Sequence, residues 1–219
     1  MIHLIAALLA LGGTAPESSP PEPVRHLQYR FGWNAEVADT GPYTGTLSVD
    51  LQPPTSDGSV TATATELWWN TIRPTATDTC QIYPNGGITC SQRPYSLSPM
   101  SLTLFPLLAS NYFDVLAGGV STWKRDFELT KGLGIWDCDF TLNGKGPISG
   151  SPQLNLIEAA GTITPHVNHS VEETVDVTTR IAYDPIAKLP VLVNQELKHN
   201  HNQPRSLETV QLKLTKSSP

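Results

Sequence analysis

Cysteine, clustered basic residues and long apolar runs are all scarce in this chain of 219 residues. Lys and Arg number 14 against 20 Asp and Glu, giving a net charge of −6, and no stretch concentrates the cations. An acidic surface repels phosphate backbones, which argues against a nucleic-acid partner and, by the same reasoning, against anionic membrane surfaces. Beyond residue 11 no run is long and apolar enough to span a bilayer as a helix, so the sequence does not read as an integral membrane protein. No cysteine lies near the amino terminus, which excludes the usual lipid-modified start of a bacterial lipoprotein. Signatures of catalysis are missing as well: there is no H-E-x-x-H, no Gly-rich phosphate loop and no dinucleotide fingerprint. Gly146-Pro147-Ile148-Ser149-Gly150 has its serine in the wrong place for a nucleophile elbow. No cofactor is implied, and no internal repeat stands out.

What the chain does have is alternation. Leu27, Tyr29, Phe31, Trp33, Ala35 and Val37 fall on one parity, and Gln28, Arg30, Gly32, Asn34 and Glu36 on the other. Side chains alternate across a strand with period two, so residues 25–38 read as a strand with one buried and one wet face. The same pattern recurs over 44–52, where Leu47, Val49 and Leu51 face inward, and from Val60 through Ala62 and Ala64. It returns over 122–129, 135–143, 153–164 and 175–183, around Leu189 to Leu197, and over 206–216. Residues 39–43, the run from Pro53 to Gly58 and the Gly, Pro and Ser stretch 144–152 read as connections, in keeping with 19 prolines and 16 glycines. Consecutive strands with short connections predict a mainly β fold, a single antiparallel meander forming a half-open barrel or a sandwich.

One segment breaks the pattern. Phe105, Leu108, Tyr112, Val115 and Leu116 follow helical spacing, Pro106 suits a first turn and Gly118-Gly119 ends it. An apolar helix over about 105–117, packed on the sheet, is therefore expected. Residues 1–15 read as a signal peptide, with an apolar run over 4–11 followed by small residues, although the start lacks Lys or Arg. A tether rich in Pro, Ser and Glu occupies 16–23, and a single β-rich domain fills 24–216. The protein is thus expected to be secreted or periplasmic.

Cys80 and Cys90 flank the turn Pro84-Asn85-Gly86-Gly87, so a hairpin would set them opposite each other and an oxidising compartment would join them. Cys138 shares a parity with Trp136, Phe140 and Leu142 and reads as a buried thiol. Adjacent Trp68 and Trp69 must send one indole to each face of a strand, as a wall of a ligand site or as ordinary packing. Together with Trp33, Tyr112 and Phe113 they are the candidate ligand-binding residues. His166, His169, His199 and His201, spaced H-x-x-H and H-x-H, are candidate metal ligands if their turns converge, and solvated turn residues otherwise. Asp137 and Asp139 share a face, but without a pocket such a pair specifies no glycosidase chemistry. Asn168-His169-Ser170 fits an N-glycosylation pattern, relevant only in a eukaryotic host.

The stretch Thr179-Arg180-Ile181-Ala182-Tyr183-Asp184-Pro185, followed by Lys188-Leu189-Pro190-Val191, resembles strand–turn–strand segments of bacterial envelope proteins with a lipoprotein-carrier-like (LolA/LolB-type) half-barrel. The resemblance covers about the last forty residues. It implies a curved antiparallel sheet around an apolar cavity covered by helices. No lipid-contact residue of that family maps onto a position here, and a disulfide hairpin is not part of its pattern. The expectation is an exported, non-enzymatic binder of an apolar or amphipathic molecule. The alternatives are an envelope interaction module with a solid core, or a metal-dependent enzyme using the histidines.

Overall fold

The computed structural model describes residues 25–35, 42–69, 71, 73–84, 87–91, 97–98, 101, 104–105, 108, 123–128, 135–167, 170–171, 174–200 and 207–218. Its strands are β1 (Arg25–Ala35), β2 (Tyr43–Leu51), β3 (Val60–Trp68), β4 (Ala76–Ile82), β5 (Ile88–Cys90) and β6 (Trp123–Glu128). They continue as β7 (Ile135–Ile148), β8 (Ser151–Val167), β9 (Ser170–Val171), β10 (Val175–Asp184), β11 (Leu189–His199) and β12 (Leu207–Ser218). All belong to one antiparallel sheet in the order β5-β4-β3-β2-β1-β12-β11-β10-β8-β7-β6, with the short β9 paired to β8. The sheet is open, ending at β5 and β6.

The expected alternation is present and sets the core. Leu27, Tyr29 and Phe31 of β1 are buried, as are Leu47, Val49 and Leu51 of β2. Ile181 and Tyr183 of β10, Val193 of β11 and Val210 and Leu212 of β12 join them in one hydrophobic cluster. Each large side chain fully withdrawn from water contributes about 1.5–3 kcal/mol. The opposite face carries Thr, Ser, Asn, Gln and charged residues. Across β3 and β4 it is a polar ladder: Thr61 donates to Gln81 at 2.8 Å, and Thr63–Thr79 and Thr65–Thr77 pair at 3.1 and 3.0 Å.

Three expectations need correction. The strands do not form one uninterrupted meander: β5 and β6 follow each other in sequence yet occupy opposite edges, and β1 pairs with β12 over His26↔Ser218 to Ala35↔Glu208. Two meanders are therefore joined at the first and last strands, and the two-sheet sandwich does not describe the arrangement. The expected connection 144–152 is mostly strand. β7 runs to Ile148, its register shifting between Gly144 and Gly146 and again at Pro147, and only Ser149 and Gly150 turn. Glycine at φ +77° (Gly146) allows the shift without ending the strand, and Gly150 at φ +82° makes the turn. Finally, an apolar helix is not supported over its expected span, 105–117. Of that range only Phe105 and Leu108 are described; both are helical and, with Leu97 and Leu104, buried in the main cluster.

Candidate functional site

At the end of the sheet where β1, β3 and β11 finish and β2, β4 and β12 begin, the apolar face ends in aromatics. β1 brings Phe31 and Trp33, β2 brings Tyr43, and β3 brings Trp68; the pairings Trp33↔Tyr43, Phe31↔Gly45 and Gly45↔Trp68 align them. Trp33 stacks on Tyr43, with ring centroids 5.2 Å apart. Trp68 stands edge-on to Phe31 at 4.8 Å and to both Trp33 and Tyr43 at 6.0 Å. Gly45 makes room for this contact. A Cβ there would lie 2.1 Å from the Leu67 carbonyl oxygen and 2.4 Å from Phe31 Cζ.

Polar groups orient the indoles. Trp33 Nε1 donates to Glu208 Oε2 at 3.1 Å, and His199 Nε2 lies 3.2 Å from Glu208 Oε1. Trp68 Nε1 donates to Glu66 Oε2 at 3.1 Å, while Glu66 Oε1 accepts from Ser98 N and Oγ at 2.8 and 2.6 Å. Glu66 is fully buried, so these three donors offset the cost of placing a carboxyl group among apolar neighbours. The Arg73 guanidinium sits 4.8 Å above the Trp68 ring. Trp33 and Tyr43 remain half-buried, Trp68 is buried, and Arg73 is exposed. The result is a rigid, amphipathic end to the apolar face: ring surface inside, with an acid, an imidazole and a guanidinium at the rim.

Of the five expected ligand-binding residues, Trp33 and Trp68 come together here. Trp69 leaves from the opposite face, 48% exposed, with the Arg30 guanidinium 4.9 Å over its ring. Tyr112 and Phe113 lie outside the described residues. Tyr43 and Glu208 are not among the expected residues, although parity points to both. Tyr43 extends the series Gly45, Leu47, Val49, and Glu208 extends Val210, Leu212.

Among the expected metal ligands, His199 ends β11 opposite Val175, and His166 lies in β8 opposite Ile135. Both are at the same end of the sheet, on strands separated by β10. His169 and His201 lie outside the described residues. Asp78, Cys80 and Cys90 group their ligand atoms within 4.8 Å, but the two sulfurs are bonded to each other and offer no thiolate. That disulfide links Cys80 and Cys90 as expected, across the facing pair Cys80↔Cys90 of β4 and β5, with Cα atoms 4.0 Å apart.

Among the described residues no helix is long and apolar enough to cross a membrane. Compared with models of known protein families, the chain matches none. No curated protein matches it either.

Proposed function

We propose that this is an exported protein of the cell envelope or extracellular space that binds an apolar or amphipathic molecule without transforming it. In this reading the open sheet curls into a half-barrel around its apolar face, as in the lipoprotein-carrier-like proteins that residues 179–191 resemble, and the aromatic cluster forms the ligand's point of entry. The observation that carries the reading is the pair of half-buried rings, Trp33 and Tyr43, at the end of a continuous apolar face. Rings held in place by hydrogen bonds and stacking lose little freedom when a ligand covers them. The Cys80–Cys90 bond supports an oxidising compartment.

Native mass spectrometry of the untagged protein, secreted through its own leader, tests this before and after solvent extraction. An extra mass that extraction removes, and that Trp33→Ala no longer retains, is the expected result. A bare mass throughout, with tryptophan emission unmoved by added fatty acid, counts against it. It would favour the interaction-module reading instead, which has one observation of its own: Leu67 near the end of β3 and Trp69 just beyond it are 45% and 48% exposed.

A further inference from the structure

Across β1, β12, β11 and β10, mainly on the face opposite the aromatic cluster, lies a hollow of about 630 Å³ whose border also takes in Trp33, Gln195 and Val210. Gly32 and Asn34 alternate with Phe31 and Trp33 along β1, so they open to that other side. Two cross-strand rows border the hollow. One runs Gly32–Gln211–Asn194–Arg180 and the other Asn34–Thr209–Glu196–Thr178, across β1, β12, β11 and β10. We propose that this hollow is a second binding site, for a neutral oligosaccharide.

Four observations support that class of ligand. Every strand beneath the hollow is interior to the sheet, so its backbone groups are committed to neighbours and an extended peptide cannot add as a further strand. Recognition falls to side chains, and these are mainly amides and hydroxyls, which both donate and accept, as a polyol requires. Charge in the lining balances, with one guanidinium (Arg180) and one carboxylate (Glu196), which suits neither a strong anion nor a metal ion needing several oxygen ligands. Strands lie about 4.8 Å apart, so successive side chains in a row repeat at close to the length of one sugar ring in a β-linked chain.

The lining is also held in place. Gln211 Nε2 donates to Asn194 Oδ1 at 2.8 Å, and Arg180 Nε pairs with Glu158 Oε1 at 3.3 Å. Gly32 makes the opening. Glycine weakens a strand interior, and a Cβ at Gly32 would meet nothing within 4 Å, so no crowding calls for its absence. A side chain at this position would instead project into the hollow.

The test is NMR on the ¹⁵N-labelled full chain, following the side-chain amides of Asn34, Asn194 and Gln211 while cellohexaose, chitohexaose or maltohexaose is titrated in. Saturable shifts with at least one sugar are expected. Affinity should fall by about tenfold or more in Gly32→Phe, which fills the hollow from its floor, and in the exposed-site variant Asn194→Ala should Gly32→Phe fail to fold. The proposal is overturned if none of the three sugars saturates, if a Gly-Ser peptide saturates and the sugars do not, or if binding persists unchanged in the folded variants.

Discussion

Two glycines on neighbouring strands show how strongly a single position depends on what surrounds it. Gly45 lies under the Phe31–Trp68 contact, where a methyl group would collide with the Leu67 carbonyl. Gly32 faces open space. The same substitution should therefore act in opposite directions: Gly45→Ala destabilises by about 1–3 kcal/mol through overpacking, and Gly32→Ala stabilises by about 0.4–1 kcal/mol by restricting the unfolded chain. Urea midpoints of the two variants against the parent decide both. Tyr29 gives a pH dependence. Burial pushes its hydroxyl well above the usual tyrosine range, and the nearby Arg25 only partly offsets this. The neutral phenol is then favoured in the folded state, so the contribution is complete below the unfolded value of about 10 and is lost as pH rises past it. Tyr29→Phe should flatten the fall in stability above pH of about 10, while costing about 1 kcal/mol at neutral pH through the lost bond to the Pro190 carbonyl, 3.1 Å away. Denaturant titrations at both pH values check this. Parity made most of these positions legible. Glu66, Asp78 and Glu208 stand on apolar parities, where a carboxyl group is costly unless partnered. The sequence does not name those partners, because Ser98, Ser91 and Trp33 approach from other parts of the chain.

At the scale of elements, strands were read to within a few residues wherever one face is buried and the other wet. β1, β2 and β6 differ from expectation by three residues or fewer at either end. Boundaries are missed where glycine and proline read as breaks, since Gly144, Gly146 and Pro147 shift the register of β7 without ending it. The β4–β5 hairpin was read most fully, because its turn, spacing and cysteines all agree. Its hold on the sheet is reinforced by Asp78, whose Oδ1 accepts from Ser91 N at 3.1 Å and Ser91 Oγ at 2.6 Å. β5 has only three residues, so the covalent link should dominate its retention. Reduction, or the Cys80→Ala/Cys90→Ala pair, is expected to lower stability by about 2–3 kcal/mol. Unfolding with and without reductant measures it, and an unchanged midpoint would leave the hydrogen bonds of Asp78 as the main restraint.

For the molecule as a whole, the decisive pairing is the one no local pattern reveals. Period-two alternation tells each strand which face to bury but not which strand to join, and β1 joins β12, at the far end of the strand sequence. β12 is also the bridge between the halves, with β1 on one side and β11 on the other. Deleting residues 207–218 should therefore abolish cooperative unfolding rather than trim an edge, as circular dichroism melts would show. A comparable deletion of β5 should leave a cooperative, weaker fold. The same pairing sets the order of events during synthesis. The β1 segment leaves the ribosome long before its partner, since 171 residues separate Ala35 from Leu207. At bacterial or eukaryotic elongation rates that interval is on the order of ten to thirty seconds. Throughout it, the N-terminal meander presents a bare strand edge beside Tyr29, Phe31 and Trp33, so the nascent chain is most open to pairing with other chains until its last strand is made.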